Sequence, residues 1–486
     1  NKISHIKTFL SENRTVRQTI LKNTFWLSFG EVIGRLLRAA VIIYAARVLG
    51  VEGFGIFSYV LGLAGLLTIF SDLGMAPVVV REGAKDPELR ARYFSTALGL
   101  SLGLALISSL IIIFGAPLVT KFPVSQMLVA LIALVFVFDI IRGLAGSAIF
   151  RASEKMEGEA AVSIATQAIV VVAGFILVTN WKNPESLALA YAMGSLGGLL
   201  LALYLVRHYL RRFISRFDRS LIKPMLAASI PMSLTAILGA VMINTDTVLL
   251  GWLTDAEQVG FFAAAQKPVL LLYLIPSFLA GGIFPLLARS AEKDRERFRL
   301  LTERGLSAVF LFALPITIGL VLLASPLVDL LYGAAYSPAT TAFQILGLTI
   351  LAVFPASMLV NGIFAYNEQK FLTKVGAVGV VINLFLDLML IPLWGIAGCA
   401  LATLLVQSVS SVLIWRRMKK LNDFAVFRSL RKIAIATVVM GAFILAFLGL
   451  GLPVLLVVLV AAMVYFAMLL LLKEKLFREL RAVLAG

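Results

Sequence analysis

Cysteine occurs once in this 486-residue chain, at Cys399, and histidine twice, at His5 and His208. Disulfide bonds and a Cys/His metal site are thereby excluded. Charge is scarce as well: 14% of residues are Asp, Glu, Lys or Arg and 60% are hydrophobic, where soluble domains carry about 25% charged and roughly 45–50% apolar residues. Acidic residues are the scarcer sign, 26 against 43 Lys and Arg, a net charge of +17. No convincing Ser/His/Asp constellation is present, so no catalytic residue is assigned. Residues 1–22, NKISHIKTFLSENRTVRQTILK, lack an apolar core with a small-residue cleavage site. A cleaved signal peptide is therefore not expected, and the first span is expected to be retained.

What the sequence does have is length of apolar run. Segments such as 100-LSLGLALISSLIIIF-114, 160-AAVSIATQAIVVVAGFILV-178 and 453-PVLLVVLVAAMVYFAMLLLL-472 reach or approach the roughly 20 residues a spanning helix needs. Lipid offers no water to unpaired backbone groups, so these runs predict an all-α polytopic membrane protein. Breaks at charged and Pro/Gly-rich points predict 14 transmembrane helices: six from 24 to 206, six from 224 to 415, and two at 433–450 and 453–472.

If successive spans alternate in direction, 36 of the 43 Lys and Arg residues fall on one side, and the other holds Lys121 and Lys182. By the positive-inside rule both termini are cytoplasmic, in an inner (plasma) membrane. The net charge is thus mostly topological, and membrane lipids rather than nucleic acid are the expected partner of these short basic loops. The tail 473-KEKLFRELRAVLAG-486 places Leu476, Phe477, Leu480, Val483 and Leu484 on one helical face and reads as a surface-lying amphipathic helix.

Two segment pairs repeat. At an offset of 205, 52-EGFGIFSYV-60 meets 257-EQVGFFAAA-265; at 214, 148-AIFRASEKM-156 meets 362-GIFAYNEQK-370. A duplicated six-helix unit explains both: an N-terminal lobe over 1–208, a C-terminal lobe over 209–418, and two extra helices with the tail over 419–486. An even number of helices per copy makes this a parallel internal repeat, the architecture of lobes that rock about a shared site.

Five basic residues lie inside the predicted spans: Arg35, Arg38, Arg47, Arg142 and Lys267. A charge near the bilayer centre costs about 2.5–3.5 kcal/mol on insertion scales, so such groups face partners or water. Glu31, Arg35 and Arg38 are spaced i, i+4, i+7 on one helix face. A Glu31–Arg35 pair leaves Arg38 needing an acidic neighbour or an anionic ligand. Asp139 and Arg142 sit i, i+3 and can neutralise each other. Lys267 is either a ligand residue or the partner of Asp246, and Asp72 and Asp387 read as helix-packing residues. Arg47 reads as an interfacial anchor. The surplus of arginine favours an anion with several oxygens, because guanidinium binds phosphate through two parallel hydrogen bonds.

The segments 47-RVLGVEGFGIFSYV-60, 71-SDLGMAPVVVRE-82, 246-DTVLLGWL-253 and 361-NGIFAYNEQKFLTKVGAVGVVINLFLDLMLIPLWGIAGCALATLL-405 resemble the Wzx-type polysaccharide and O-antigen flippases. These belong to the multidrug/oligosaccharidyl-lipid/polysaccharide (MOP) exporter superfamily. The resemblance implies the MOP flippase fold of two six-helix lobes plus two helices, and alternating-access movement of undecaprenyl-diphosphate-linked oligosaccharide from the cytoplasmic to the periplasmic leaflet. Arg35, Arg38, Arg142 and Lys267 are the expected substrate-binding residues. Glu31, Asp72, Asp139 and Asp246 are expected in charge pairing or coupling to H⁺, Na⁺ or membrane potential. No cofactor is expected; the chain is expected to be monomeric, with other polysaccharide-assembly membrane proteins as further partners.

Three alternatives remain. A peptidoglycan-precursor (lipid II) flippase shares the layout. A drug/cation antiporter would favour acidic cavity groups and usually twelve spans. A membrane glycan polymerase or ligase would need a sizeable external loop, whereas the external connections here are short.

Overall fold

The computed structural model describes residues 16–83, 87–213, 216–291 and 293–474. Among them every regular element is helical, as lipid requires of a chain that must satisfy its own backbone. The tail from 475 and His5 lie outside the described residues. Two compact units meet at 260/261.

The first unit holds α1 (Val16–Asp72), α2 (Met75–Gly83), α3 (Pro87–Val119), α4 (Gln126–Arg142), α5 (Met156–Trp181), α6 (Pro184–Phe213), α7 (Ile222–Leu253) and the start of α8 (Ala256–Leu272). The second holds the rest of α8, then α9 (Leu274–Ser290), α10 (Arg295–Leu322), α11 (Ala324–Tyr332), α12 (Ala339–Leu348), α13 (Ile350–Ala365), α14 (Gln369–Leu421), α15 (Phe427–Leu448) and α16 (Val454–Leu471).

Twelve helices among the described residues are long and apolar enough to cross a membrane. The sequence predicts 14 spans, two more than these twelve helices. α1 and α14 each run on through a glycine with non-helical backbone, Gly50 (φ 71, ψ 178) and Gly395 (φ 56, ψ −130). Both glycines fall at breaks expected from the sequence. An unbroken 57-residue helix such as α1 would be roughly 85 Å long at about 1.5 Å per residue, far more than a hydrocarbon core of about 30 Å.

In the first unit, α4 continues through a π-helical segment, Gly143–Ala148, and a last turn, Ile149–Ala152. The wider π turn is built from small residues, GLAGSA, immediately after Arg142. Beyond it Phe150 enters a core with Met75, Val79, Phe94, Val162 and Met225. Lys22, one of the basic residues counted as topological, is 1% exposed and pairs with Glu157 at 3.1 Å.

In the second unit, Leu311 and Leu323 form a core with Ile433, Met440, Val457 and Tyr465. This apolar seam fastens α15 and α16 to α10. At the polar end, the Arg417 guanidinium donates to Glu368 (Nε to Oε2, 2.9 Å), and Asn422 donates to the Arg295 carbonyl at 3.0 Å.

The turns after Ala152 and Ala365 share one hydrogen-bond pattern. Lys155 N donates to Phe150 O (2.9 Å) and Glu368 N to Ile363 O (3.1 Å), with left-handed Glu154 (φ 55) and Asn367 (φ 58) just before. This is the same helix-ending motif twice. Its register is 213 residues, so Phe150 corresponds to Ile363, one residue off the sequence alignment with Phe364.

Candidate functional site: arginines bracketed by helix α5

Small residues set the approach of α1 to α5. A Cβ on Gly30 would meet Ala160 at 3.0 Å, and one on Gly34 would meet Ser163 Oγ at 3.3 Å and Gln167 Cγ at 3.6 Å. One turn beyond Gly34, Arg38 reaches the same helix. The polar face of α1 lies beside this seam, with Glu31, Arg35 and Arg38 all exposed. Charged groups at mid-span depth face partners or water rather than lipid.

The three arginines are held differently. Arg35 Nε donates to Glu31 Oε1 at 2.6 Å, the pair expected from the i, i+4 spacing. Arg142 Nη2 donates to Asp139 Oδ1 at 2.9 Å, again within its own helix, and Nη1 donates to Thr166 Oγ1 at 2.8 Å. Thr166 in turn donates to the Val162 carbonyl at 2.7 Å, so its hydroxyl is fully used. Arg38 makes a long bond, Nε to Gln167 Oε1, 3.5 Å. Among the described residues no carboxylate stands within ion-pair distance of Arg38. Its partner is a neutral amide from another helix.

Thus α5 receives Arg38 and Arg142 on consecutive residues, Gln167 and Thr166, which are 6% and 2% exposed. α6 backs the arrangement with glycines: a Cβ on Gly198 would lie 1.9 Å from Thr166 Oγ1 and 3.3 Å from Arg142 Cδ. Tyr191, buried on α6, is within electrostatic reach of Arg38. Thr166, Gln167 and Tyr191 are absent from the sequence-based candidates. Polar residues inside the apolar run of α5, facing the glycine-dense 191-YAMGSLGG-198, are the signal that could have marked them.

Among the other candidates, Arg47 is exposed near the end of the first half of α1. Asp246 is buried on α7 in the first unit; Lys267, half-buried on α8, belongs to the second, as do the buried Asp387 and Cys399 on α14. Asp72 ends α1, and its side chain lies outside the described residues.

Residues 20–291, more than half the chain, match a family described as polysaccharide biosynthesis protein. The chain belongs to the polysaccharide biosynthesis protein family. Residues 231–389 also match the MatE family. A putative O-antigen transporter of Shigella flexneri is 25% identical over 401 residues, covering 79% of this chain and 94% of that one. A probable low-salt glycan biosynthesis flippase of Haloferax volcanii is 22% identical, covering 81% and 82%. Among solved structures, lipid II flippase MurJ in an inward closed conformation superposes with a TM-score of 0.75 at 15% identity, over 95% of this chain and 99% of that one. An inward-facing multidrug resistance MATE family transporter gives 0.68 at 16% identity, over 82% and 98%. This member of the polysaccharide biosynthesis protein family therefore has the fold of the MOP superfamily. Its many long apolar helices make it a multi-pass membrane protein.

Proposed function

We propose that this protein is a flippase, a transporter rather than an enzyme, and moves a polyprenyl-diphosphate-linked oligosaccharide from the cytoplasmic to the periplasmic leaflet of the inner membrane by alternating access. The observation that carries the reading is Arg38, an exposed mid-span guanidinium whose partner among the described residues is an amide, on a helix face that also carries Arg35, with Arg142 bonded to the next residue of α5. A diphosphate is the anion that matches a fork of donors. The glycan needs a wet cavity, and the polyprenyl chain stays in lipid. The arrangement proposed around this site has 14 crossings, with α1 and α14 crossing twice each, lobes over 1–208 and 209–418, both termini cytoplasmic, and a monomer as the working unit. Arg35, Arg142 and Lys267 complete the substrate contacts, and Glu31, Asp72, Asp139 and Asp246 balance charge or couple to H⁺, Na⁺ or voltage.

Lipid II transport is the second reading, supported by a probable lipid II flippase MurJ of Haemophilus influenzae that is 24% identical over 307 residues. Depleting the protein and identifying the lipid-linked glycan that accumulates in the cytoplasmic leaflet separates the two. For the site, an Arg38→Ala protein that inserts and folds normally is expected to lose transport of the lipid-linked oligosaccharide. Unchanged transport by that variant overturns the assignment.

A further inference from the structure

Of the candidate arginines Arg35, Arg38 and Arg142, each lies within hydrogen-bond distance of a partner, and two of the three are paired with a carboxylate. Arg35 has Glu31 one turn back on its own helix, and Arg142 has Asp139 three residues back on its own. Arg38 has instead the side-chain oxygen of Gln167, from a helix 129 residues away. That partner holds Nε without contributing charge. Among the described residues neither Nη nitrogen of the exposed Arg38 has a hydrogen-bond partner, so the end of the fork is left for a ligand.

We infer that Gln167 is a positioning residue for the diphosphate site: a buried amide that fixes the direction of Arg38 while leaving its positive charge for the ligand. The inference rests on the reading of Arg38 as the diphosphate-binding group, and it adds why position 167 is an amide. A carboxylate there would hold the guanidinium more strongly, but it would cancel the charge that the anion needs. An apolar residue would preserve the charge and release the direction, returning to Arg38 the rotamer freedom of a long side chain.

Gln167 is built for that role by its surroundings. It is 6% exposed, and its stem passes Gly34, where a Cβ would already stand 3.6 Å from Cγ. The amide is thereby confined to the seam between α1 and α5. Its neighbour Thr166 does the corresponding job for Arg142, also with a neutral oxygen. One rigid helix therefore sets where both guanidinium groups lie, and the acids on α1 and α4 decide which of the arginines keeps its charge.

The test uses the purified full-length protein in lipid nanodiscs, titrated with farnesyl diphosphate and with farnesol; the ratio of the two affinities reads the diphosphate preference. Wild type is expected to prefer the diphosphate, and Arg38→Gln to abolish that preference. Equal binding of the two probes by wild type overturns the site and the inference together. With the first arm satisfied, Gln167→Glu is expected to reduce the preference about tenfold or more, close to the Arg38→Gln level. Gln167→Met, similar in volume and neutral, is expected to reduce it about threefold, the size of one lost hydrogen bond. A residue with a purely packing role would shift thermal stability in these variants and leave the preference unmoved. Wild-type preference in folded Gln167→Glu overturns the positioning role while the Arg38 site stands. Should Gln167→Glu fail to fold, Gln167→Met and Gln167→Leu decide, and wild-type preference in both overturns the inference.

Discussion

Gly55 and Gly260 face each other's helix in a reciprocal contact. A Cβ on Gly55 would lie 1.8 Å from the Ala256 carbonyl oxygen, and a Cβ on Gly260 would lie 2.2 Å from that of Val51. The two glycines stand 205 residues apart, as do Val51 and Ala256, and each touches the other's counterpart. A contact in which i meets j and j meets i is what a local two-fold axis produces. Neither position has room for a methyl group, since the obstacle in both cases is backbone. Gly55→Val or Gly260→Val is expected to lower the thermal unfolding midpoint in detergent, at a cost of about 1–3 kcal/mol or more. Gly103→Val, where a Cβ meets nothing within 4 Å, serves as the control with little effect. Equal midpoints for Gly55→Val and Gly103→Val would show that the contact is dispensable.

Much of this was legible in the sequence because the signals are local. Apolar run length gave helices, and glycine at breaks in hydropathy located the non-helical kinks at Gly50 and Gly395. The spacing of Glu31, Arg35 and Arg38, with one carboxylate for two guanidinium groups, already isolated Arg38. What could not be read is what arrives from far along the chain. Gln167 and Thr166 are unremarkable polar residues in an apolar run until folding places them against Arg38 and Arg142. The sequence pairs Phe150 with Phe364 because they match as letters, while the hydrogen bonds that end the two helices set Phe150 beside Ile363 in register. Register there is a property of backbone geometry, and side-chain identity followed it loosely.

Tyr465 repairs a gap that proline opens in another helix. Pro315 lies inside α10 and has no N–H to offer the carbonyl four residues back, which is that of Leu311. The Tyr465 hydroxyl donates to that carbonyl at 2.7 Å, within the core that fastens α16 to α10. Tyr465→Phe is expected to destabilise by about 1–3 kcal/mol, the cost of a buried acceptor left unsatisfied. Pro315→Ala supplies an N–H from within the helix. In the double variant the Tyr465→Phe penalty is expected to shrink to a few tenths of a kcal/mol, in a double-mutant cycle of thermal or denaturant unfolding. A penalty unchanged by Pro315→Ala would separate the hydroxyl from the proline gap.

Asp218 ties the segment between α6 and α7 to the start of α3. Its carboxylate accepts from Ser220 Oγ (2.6 Å) and Ser220 N (2.9 Å) and pairs with Arg92. The Ser220 hydroxyl first, then Arg92 and the Ser220 amide, push the Asp218 carboxyl down to about 2. A folded value below the unfolded one means the stabilisation is complete above the ordinary carboxylate value and disappears as pH falls through about 2. Asp218→Asn is therefore expected to lower the unfolding midpoint at neutral pH. The gap from wild type should close progressively as the scan is repeated between about pH 4 and pH 2. A gap constant across that range would mean that the carboxylate charge is not what holds the segment.

We propose that the carboxylates paired with arginines couple transport to an ion gradient. Protonation of Glu31 would release Arg35 from its 2.6 Å pair and add a second charged fork beside Arg38. Glu31→Gln mimics that released state permanently. In proteoliposomes, the variant is expected to bind farnesyl diphosphate several-fold more tightly, as one arginine gains its charge for the anion. It is also expected to lose any acceleration that an imposed proton gradient gives the wild type. Asp139→Asn applies the same logic to Arg142, with a weaker effect because Thr166 still holds that guanidinium. The decisive comparison is wild-type flipping under a pH gradient, a sodium gradient and an imposed voltage, each alone. Flipping that ignores both ion gradients while responding to voltage would remove Glu31 from the driving step, and the charge of the cargo moving in the membrane field, about 2.3 kcal/mol per charge per 100 mV, would suffice.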